Sequence, residues 1–234
     1  MSDPFSTTRW SLILASGTAD TTANAALSEL CEIYWRPVYA FIRHHGHAPD
    51  EAADLTQAFF LNLLEHRGFE RADPARGRFR AYLVTSARNF LINAHAHTTP
   101  ERRGAKFHHE SIDALNAERE FALNAADPES TPDAVFEQQW ALRVAERALE
   151  KLRQDYAERG QEQVFQDLRP YLTSHAHEDS PSAAAGLSPD AFRAALSRAR
   201  RRYGEALRAA ILETVQDVRD VDDELRHLLR MLST

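Results

Sequence analysis

A single cysteine, Cys31, stands in 234 residues, so no disulfide can form within the chain and a reduced, intracellular protein is the natural expectation. Cys31 itself falls on an amphipathic stretch and reads as a small core residue. Only eight glycines occur, and none is arranged as a phosphate-binding loop, a dinucleotide fingerprint or a nucleophile elbow. Acids are plentiful, yet no pair is set apart as general acid and base, so catalysis is not expected. The start, Met1-Ser2-Asp3-Pro4, lacks a basic stretch followed by an apolar run, and nowhere do about 18 apolar residues follow one another. A secreted or membrane-spanning protein is therefore not expected, and the cytoplasm is. Eleven histidines are present, but with no cysteine pair and no His-Glu-x-x-His helix they match no zinc pattern. They read as solvated or DNA-facing groups, with no metal and no cofactor required.

Acids outnumber Lys and Arg, and the formal net charge of −7 taken alone argues against a nucleic-acid partner. Its distribution argues otherwise. Between Arg71 and Lys106 eight basic residues meet only two acids, Asp73 and Glu101. A second basic cluster runs from Arg193 through Arg198, Arg200, Arg201 and Arg202 to Arg208, opposed only by Glu205. A chain that meets nucleic acid at two separated places and repels it elsewhere has this pattern.

Convincing alternating strands are missing too, and what is present is helical periodicity. A first helix is predicted over 25–44, with Leu27, Leu30, Tyr34, Val38, Phe41 and Ile42 on one face and a local kink at Pro37. A second runs from Pro49 to about His66, its start favoured by proline at the first helical position and acids near the positive end of the dipole. At ~100° per residue, Leu55, Phe59, Ala52, Leu63, Thr56, Phe60, Ala53 and Leu64 share one half of it. Glu51, Asp54, Gln57, Ala58, Leu61, Asn62 and Glu65 share the other. A third helix is predicted from Phe79 to about His95, after a turn over 73–77. Its Phe79, Tyr82 and Phe90 are more naturally core residues than stacking platforms.

Periodicity fades over 98–131, where Asp127-Pro128-Glu129-Ser130-Thr131-Pro132 reads as a linker. Helices are expected again over 132–158 and 161–172. Gly186-Leu187-Ser188-Pro189-Asp190 then supplies a glycine turn, a serine N-cap and a proline at the first helical position, the local chemistry of a helix-turn-helix. The helix that follows carries Phe192, Leu196, Ala199, Tyr203, Leu207 and Ala210 on one stripe. Arg193, Ser197, Arg200, Arg201 and Arg208 fall on the other side. Such a helix suits the major groove, with polar side chains on base edges and arginines on phosphates; an ordinary solvated amphipathic helix would show the same pattern. A last amphipathic helix is expected over 215–232, with Val218, Val221, Leu225, Leu228 and Leu232 on its stripe. That stripe needs a cover, from the chain itself or from a regulatory partner.

Four of these segments, in this order, resemble an extracytoplasmic-function sigma factor of bacterial RNA polymerase. Tyr34 to Phe41 is similar to the first helix of that family's N-terminal domain, and Glu51 to Phe60 to its polymerase-binding helix. Arg76 to Ile92 resembles its promoter-melting segment, and Ala185 to Tyr203 its C-terminal helix-turn-helix. The resemblance implies an all-α protein of two small helical domains. These are a region-2-like bundle over 1–105 and a region-4-like helix-turn-helix domain over 134–212, joined by a linker over 106–133 and followed by the helix in 213–234. It implies core RNA polymerase and promoter DNA as partners, with Glu51, Asp54, Gln57 and Leu61 on the polymerase. Arg76, Arg78, Arg80, Arg88 and Asn89 would meet DNA near the start site, and Arg193, Ser197, Arg198 and Arg201 the upstream element. Holding an unstacked base costs a few kcal/mol, which these groups must offset. The polymerase-binding helix departs from the family by carrying Ala53 and Ala58 where carboxylates are common. Some acid-poor relatives are switched by threonine phosphorylation, which makes Thr56 a candidate phosphosite and a Ser/Thr kinase, like an anti-sigma factor, a candidate partner. Against this, Thr56 sits in the apolar arc, where a buried threonine is the simpler account. A free-standing helix-turn-helix regulator that binds duplex DNA without polymerase is the alternative function.

Overall fold

The computed structural model describes residues 21–65, 79–97, 116–119, 121–122, 130–172, 188–212, 214–215 and 218–233, and among these every regular element is a helix. The all-α expectation therefore holds. The sequence resolves into α1 (Thr21–His44), α2 (Pro49–Glu65), α3 (Phe79–His97), α4 (Pro132–Ala157), α5 (Glu162–Leu172), α6 (Pro189–Leu212) and α7 (Val221–Leu232), with a 3-10 turn over Val218–Asp220 before α7.

Local chemistry sets several of these ends. Gly46 leaves α1 at φ +93°, a conformation costly for any residue with a Cβ, and α2 begins at Pro49 with Asp50 and Glu51 in its first turn. Thr131 caps α4, its hydroxyl accepting from the Ala134 amide at 3.2 Å with Pro132 next. Gly160, at φ +67°, closes the turn that follows. Ser188 caps α6 in the same way, accepting from the Ala191 amide at 3.3 Å, as its place before Pro189 led one to expect.

Two chain segments fold onto one another through α1 and α4, which pack along each other and carry the rest. On one side α1 meets α2 and α3. On the other, α6 packs on α4, α5 joins both α4 and α6, and α7 lies across α4 and α6. Apolar burial is continuous through this arrangement, from Ile33, Tyr34, Val38, Phe41 and Ile42 of α1 through Phe136, Trp140 and Val144 of α4 to Leu207 and Leu228 of α6 and α7. Leu83 of α3 and Leu152 of α4 are fully enclosed, and truncating either to alanine would cost ~2–5 kcal/mol.

The last helix departs from its expected form. It begins at Val221 rather than near Val215, and its buried face is Val221, Glu224 and Leu228, with Leu225 half-buried and Leu232 exposed. A glutamate thus stands where a seamless apolar stripe was expected, because it has a cation to meet on the opposing surface. Between α3 and α4 a short helical piece including residues 116–119 docks on α1. Glu118 there accepts from the Tyr39 hydroxyl at 2.6 Å and from Arg43 at 2.7 and 2.8 Å. Those bonds hold the Glu118 carboxyl below its ordinary range, Arg43 being the main cause.

Candidate polymerase and nucleic-acid interfaces

Helix α2 divides as its wheel requires. Ala52, Thr56, Phe59, Phe60 and Leu63 are buried, whereas Glu51, Asp54, Gln57, Ala58, Leu61, Asn62 and Glu65 are exposed. The four expected polymerase contacts, Glu51, Asp54, Gln57 and Leu61, therefore share one accessible face. Leu61 is 50% exposed at its centre, an apolar side chain among polar ones, as at the middle of a binding patch. Thr56 is 0% exposed, and its hydroxyl donates to the Ala52 carbonyl at 2.6 Å. In this arrangement no kinase could reach it.

Helix α3 sorts its predicted DNA residues onto different faces. Arg88 and Asn89 are exposed, beside Thr85, Ile92 and Asn93. Arg80 is not: it is 4% exposed, because its backbone position lies on the same face as Leu83, Val84 and Ala87. Its Nε donates to Glu137 of α4, with 2.8 Å to the nearer oxygen, and its Nη1 donates to Glu224 of α7. The guanidinium also lies 4.3 Å from the centre of the Trp140 ring. Arg80 therefore does not join Arg88 and Asn89 on one surface, contrary to the single set the sequence suggested. Arg76 and Arg78 lie outside the described residues.

Around Arg80 the structure assembles a polar knot that no local pattern announced. Glu137 takes a second partner, His227 Nε2 of α7 at 2.8 Å, and Glu224 is itself only 2% exposed. The Tyr34 hydroxyl of α1 lies in the same neighbourhood, and burial pushes its ionisation far up while the Arg80 charge works against that shift. Nor is Arg88 left to solvent alone, since its Nη2 meets Asp133 of α4 at 2.6 Å in an exposed pair. Partners 57 and 144 residues from Arg80 are invisible to periodicity; the only sequence trace of them is an acid on an otherwise apolar face.

The aromatic residues of α3 serve the core, as their type suggested. Phe79 is buried edge-on against Tyr34 at 5.2 Å between ring centres, and Phe90 meets Phe59 of α2 at 5.7 Å.

Helix α6 keeps its charged face outside. Arg193, Ser197, Arg198 and Arg201 are all exposed, while Phe192, Leu196, Ala199, Tyr203 and Leu207 are buried. Arg193 reaches back to Asp190 at 2.5 Å and Arg201 to Glu205 at 3.7 Å, both one turn away on the same helix. Arg200 departs from the expected outer face, and Arg202 of the same basic cluster also packs inward. Arg200 is half-buried and donates to the Tyr171 carbonyl of α5 at 3.1 Å, and Arg202 leans over Tyr156 of α4 at 5.7 Å. Beneath them, burial moves the Tyr203 phenol up to about 12. The first helix of the expected helix-turn-helix and its glycine turn, over 182–187, lie outside the described residues.

No helix among the described residues is long and apolar enough to cross a membrane. No curated protein and no solved structure matches the chain. From within α1 to just past the end of α3, residues 30–99 match the family model of Sigma-70 region 2, and the chain carries a Sigma-70 region 2 domain over that span.

Proposed function

We propose that this chain is a sigma factor of the extracytoplasmic-function type, which binds core RNA polymerase and directs it to particular promoters. The observation that carries the reading is the exposed arc of Glu51, Asp54, Gln57 and Leu61 on α2, inside the Sigma-70 region 2 domain. Two carboxylates, an amide and a central leucine on one helix face suit docking against a basic, helical surface of the polymerase.

In this reading Arg88 and Asn89, with Arg76 and Arg78, hold unpaired promoter DNA, and Arg193, Ser197, Arg198 and Arg201 of α6 read the upstream element from the major groove. Residues 1–105 and 134–212 supply these two activities, and the chain needs no catalysis of its own and works in the cytoplasm with the polymerase. An anti-sigma factor would control it by covering the α2 arc. Control through Thr56 would need α2 to leave its packing first, since a phosphoryl group of about −2 charge cannot be placed where the hydroxyl now lies.

Asp54→Arg tests the reading. Asp54 is exposed, so the variant keeps its circular dichroism and melting temperature. It replaces attraction by like-charge repulsion at the polymerase, a change of several kcal/mol in a desolvated interface. Capture of core polymerase at matched salt, and run-off transcription, should both be lost. A folded variant that still captures polymerase at wild-type strength removes α2 from the interface. A wild-type chain that binds duplex DNA but never polymerase would be a free-standing regulator instead.

A further inference from the structure

We infer that α7 forms a self-inhibitory latch on α3, in which Glu224 of the chain's own C-terminal part occupies Arg80 of the region 2 domain. The inference rests on the sigma-factor reading for its biological meaning and on the contacts for its existence. Both described arginines of α3 that the sequence assigned to DNA are held by carboxylates from beyond residue 130. Asp133 meets Arg88, and Glu137 and Glu224 meet Arg80. The same seam continues along α1, where Glu146 of α4 faces Arg36 at 3.6 Å and Arg147 faces Glu32 at 3.7 Å.

The chemistry of the seam points to a contact that opens. A closure meant only for stability would be made of apolar side chains, because a buried ion pair gains little over a hydrophobic contact of the same shape. Here the centre of α7's buried face is Glu224, set between Val221 and Leu228, and its charge meets Arg80 opposite. Such a pair specifies one docked geometry. Once separated, both groups regain water, or Arg80 a phosphate, at modest cost. Carboxylates stacked on arginines also present the anionic pattern of a nucleic-acid backbone, so α7 and DNA compete for overlapping charge. The rest of α7 fits a part that leaves: it is 12 residues long, acidic in its first turn at Asp222, Asp223 and Glu224, and exposed at Leu229 and Leu232.

Two variants and a control test this in the full chain. Glu224→Gln removes the buried charge with little change of shape, Leu228→Asp unseats α7 through its apolar anchor, and Asp223→Asn alters an exposed acid that meets Arg226 of its own helix. Hydrogen exchange over 221–232 reports release of the latch. Affinity of the isolated protein for single-stranded DNA at fixed salt, and run-off transcription with core polymerase, report its consequence. Glu224→Gln and Leu228→Asp should speed exchange in α7 and raise DNA affinity by about tenfold, as expected when a minor open population becomes the major one. Asp223→Asn should do neither. Release of α7 with DNA affinity unchanged or reduced overturns the latch, and so does unchanged exchange in both variants. Should the wild type and both variants fail to capture polymerase while the released forms bind DNA more tightly, the latch stands and the sigma-factor reading falls.

Discussion

Helices α3 and α6 carry the same sequence signal, arginines spaced along an amphipathic helix, and the fold treats Arg80 of the one and Arg193 and Arg201 of the other in opposite ways. On α6 the arginines Arg193 and Arg201 point outward and reach acids one turn away. On α3 Arg80 points inward, to Glu137, Glu224 and Trp140 on two other helices. An outward arginine with a local partner is available to a ligand, since exposed pairs contribute ~0–1 kcal/mol and open readily. An inward arginine with distant partners belongs to the folding of the chain, and can serve a ligand only after those partners leave. The comparison separates a ready surface from a guarded one, which composition alone cannot do.

The largest effect should come from breaking the guarded side. Arg80→Met removes the cation opposite Glu224 and should destabilise the docked α7 by more than ~1.4 kcal/mol, the tenfold that turns its open form into the major one, read by hydrogen exchange over 221–232 and by a denaturant titration. Adding Glu224→Met to it should recover most of that loss, since two apolar side chains then replace the pair. A single variant as stable as wild type would mean that Arg80 is not the partner holding Glu224.

The ready side should respond in function and not in stability. Arg193→Ala should change the melting free energy by less than ~0.5 kcal/mol. It should weaken discrimination between promoter and non-promoter duplex by ~1–3 kcal/mol if the side chain reads a base. Equal weakening on all DNA would make Arg193 a phosphate contact, and no weakening would remove α6 from the DNA.

Arg43 stands between the two extremes and gives the smallest effect. It is half-buried and held by Glu118 from the segment that leads toward α4. The Glu118 pKa is lowered in the folded chain by Arg43, so its contribution is full above the ordinary glutamate range and is lost as pH falls through the depressed folded value. Undocking of residues 116–119 in mild acid, followed through the Ala117 amide by NMR, should shift toward neutral pH in Arg43→Gln. An identical titration in both proteins would detach Glu118 from this role.

Much of the architecture was legible because it depends on local rules. Pro49, Thr131 and Ser188 open their helices through caps and dipoles that act over three or four residues. The exposed arc of α2 followed from the 3.6-residue period alone, as did the buried stripe from Phe192 to Leu207. Thr56 fell within the apolar arc by the same arithmetic, and it is buried.

What the sequence determined by itself, then, is the set of helices, the face of each that avoids water, and the resemblance of 30–99 to a known domain, all properties of residues near one another along the chain. Which face meets which was decided by the tertiary structure. Arg80 was grouped with Arg88 through the resemblance of 76–92 to a promoter-melting segment; the helical period sets Arg80 on the face of Leu83, Val84 and Ala87, and the packing of the helices brought it Glu137, Trp140 and Glu224 as partners. Glu224 is absent from the apolar stripe expected of its helix, and it lies on the buried face with a cation opposite it. The physical reason is range: hydrogen-bonded turns and hydrophobic periodicity act across a few residues, whereas the pairing of buried charges depends on partners brought together only when the helices pack.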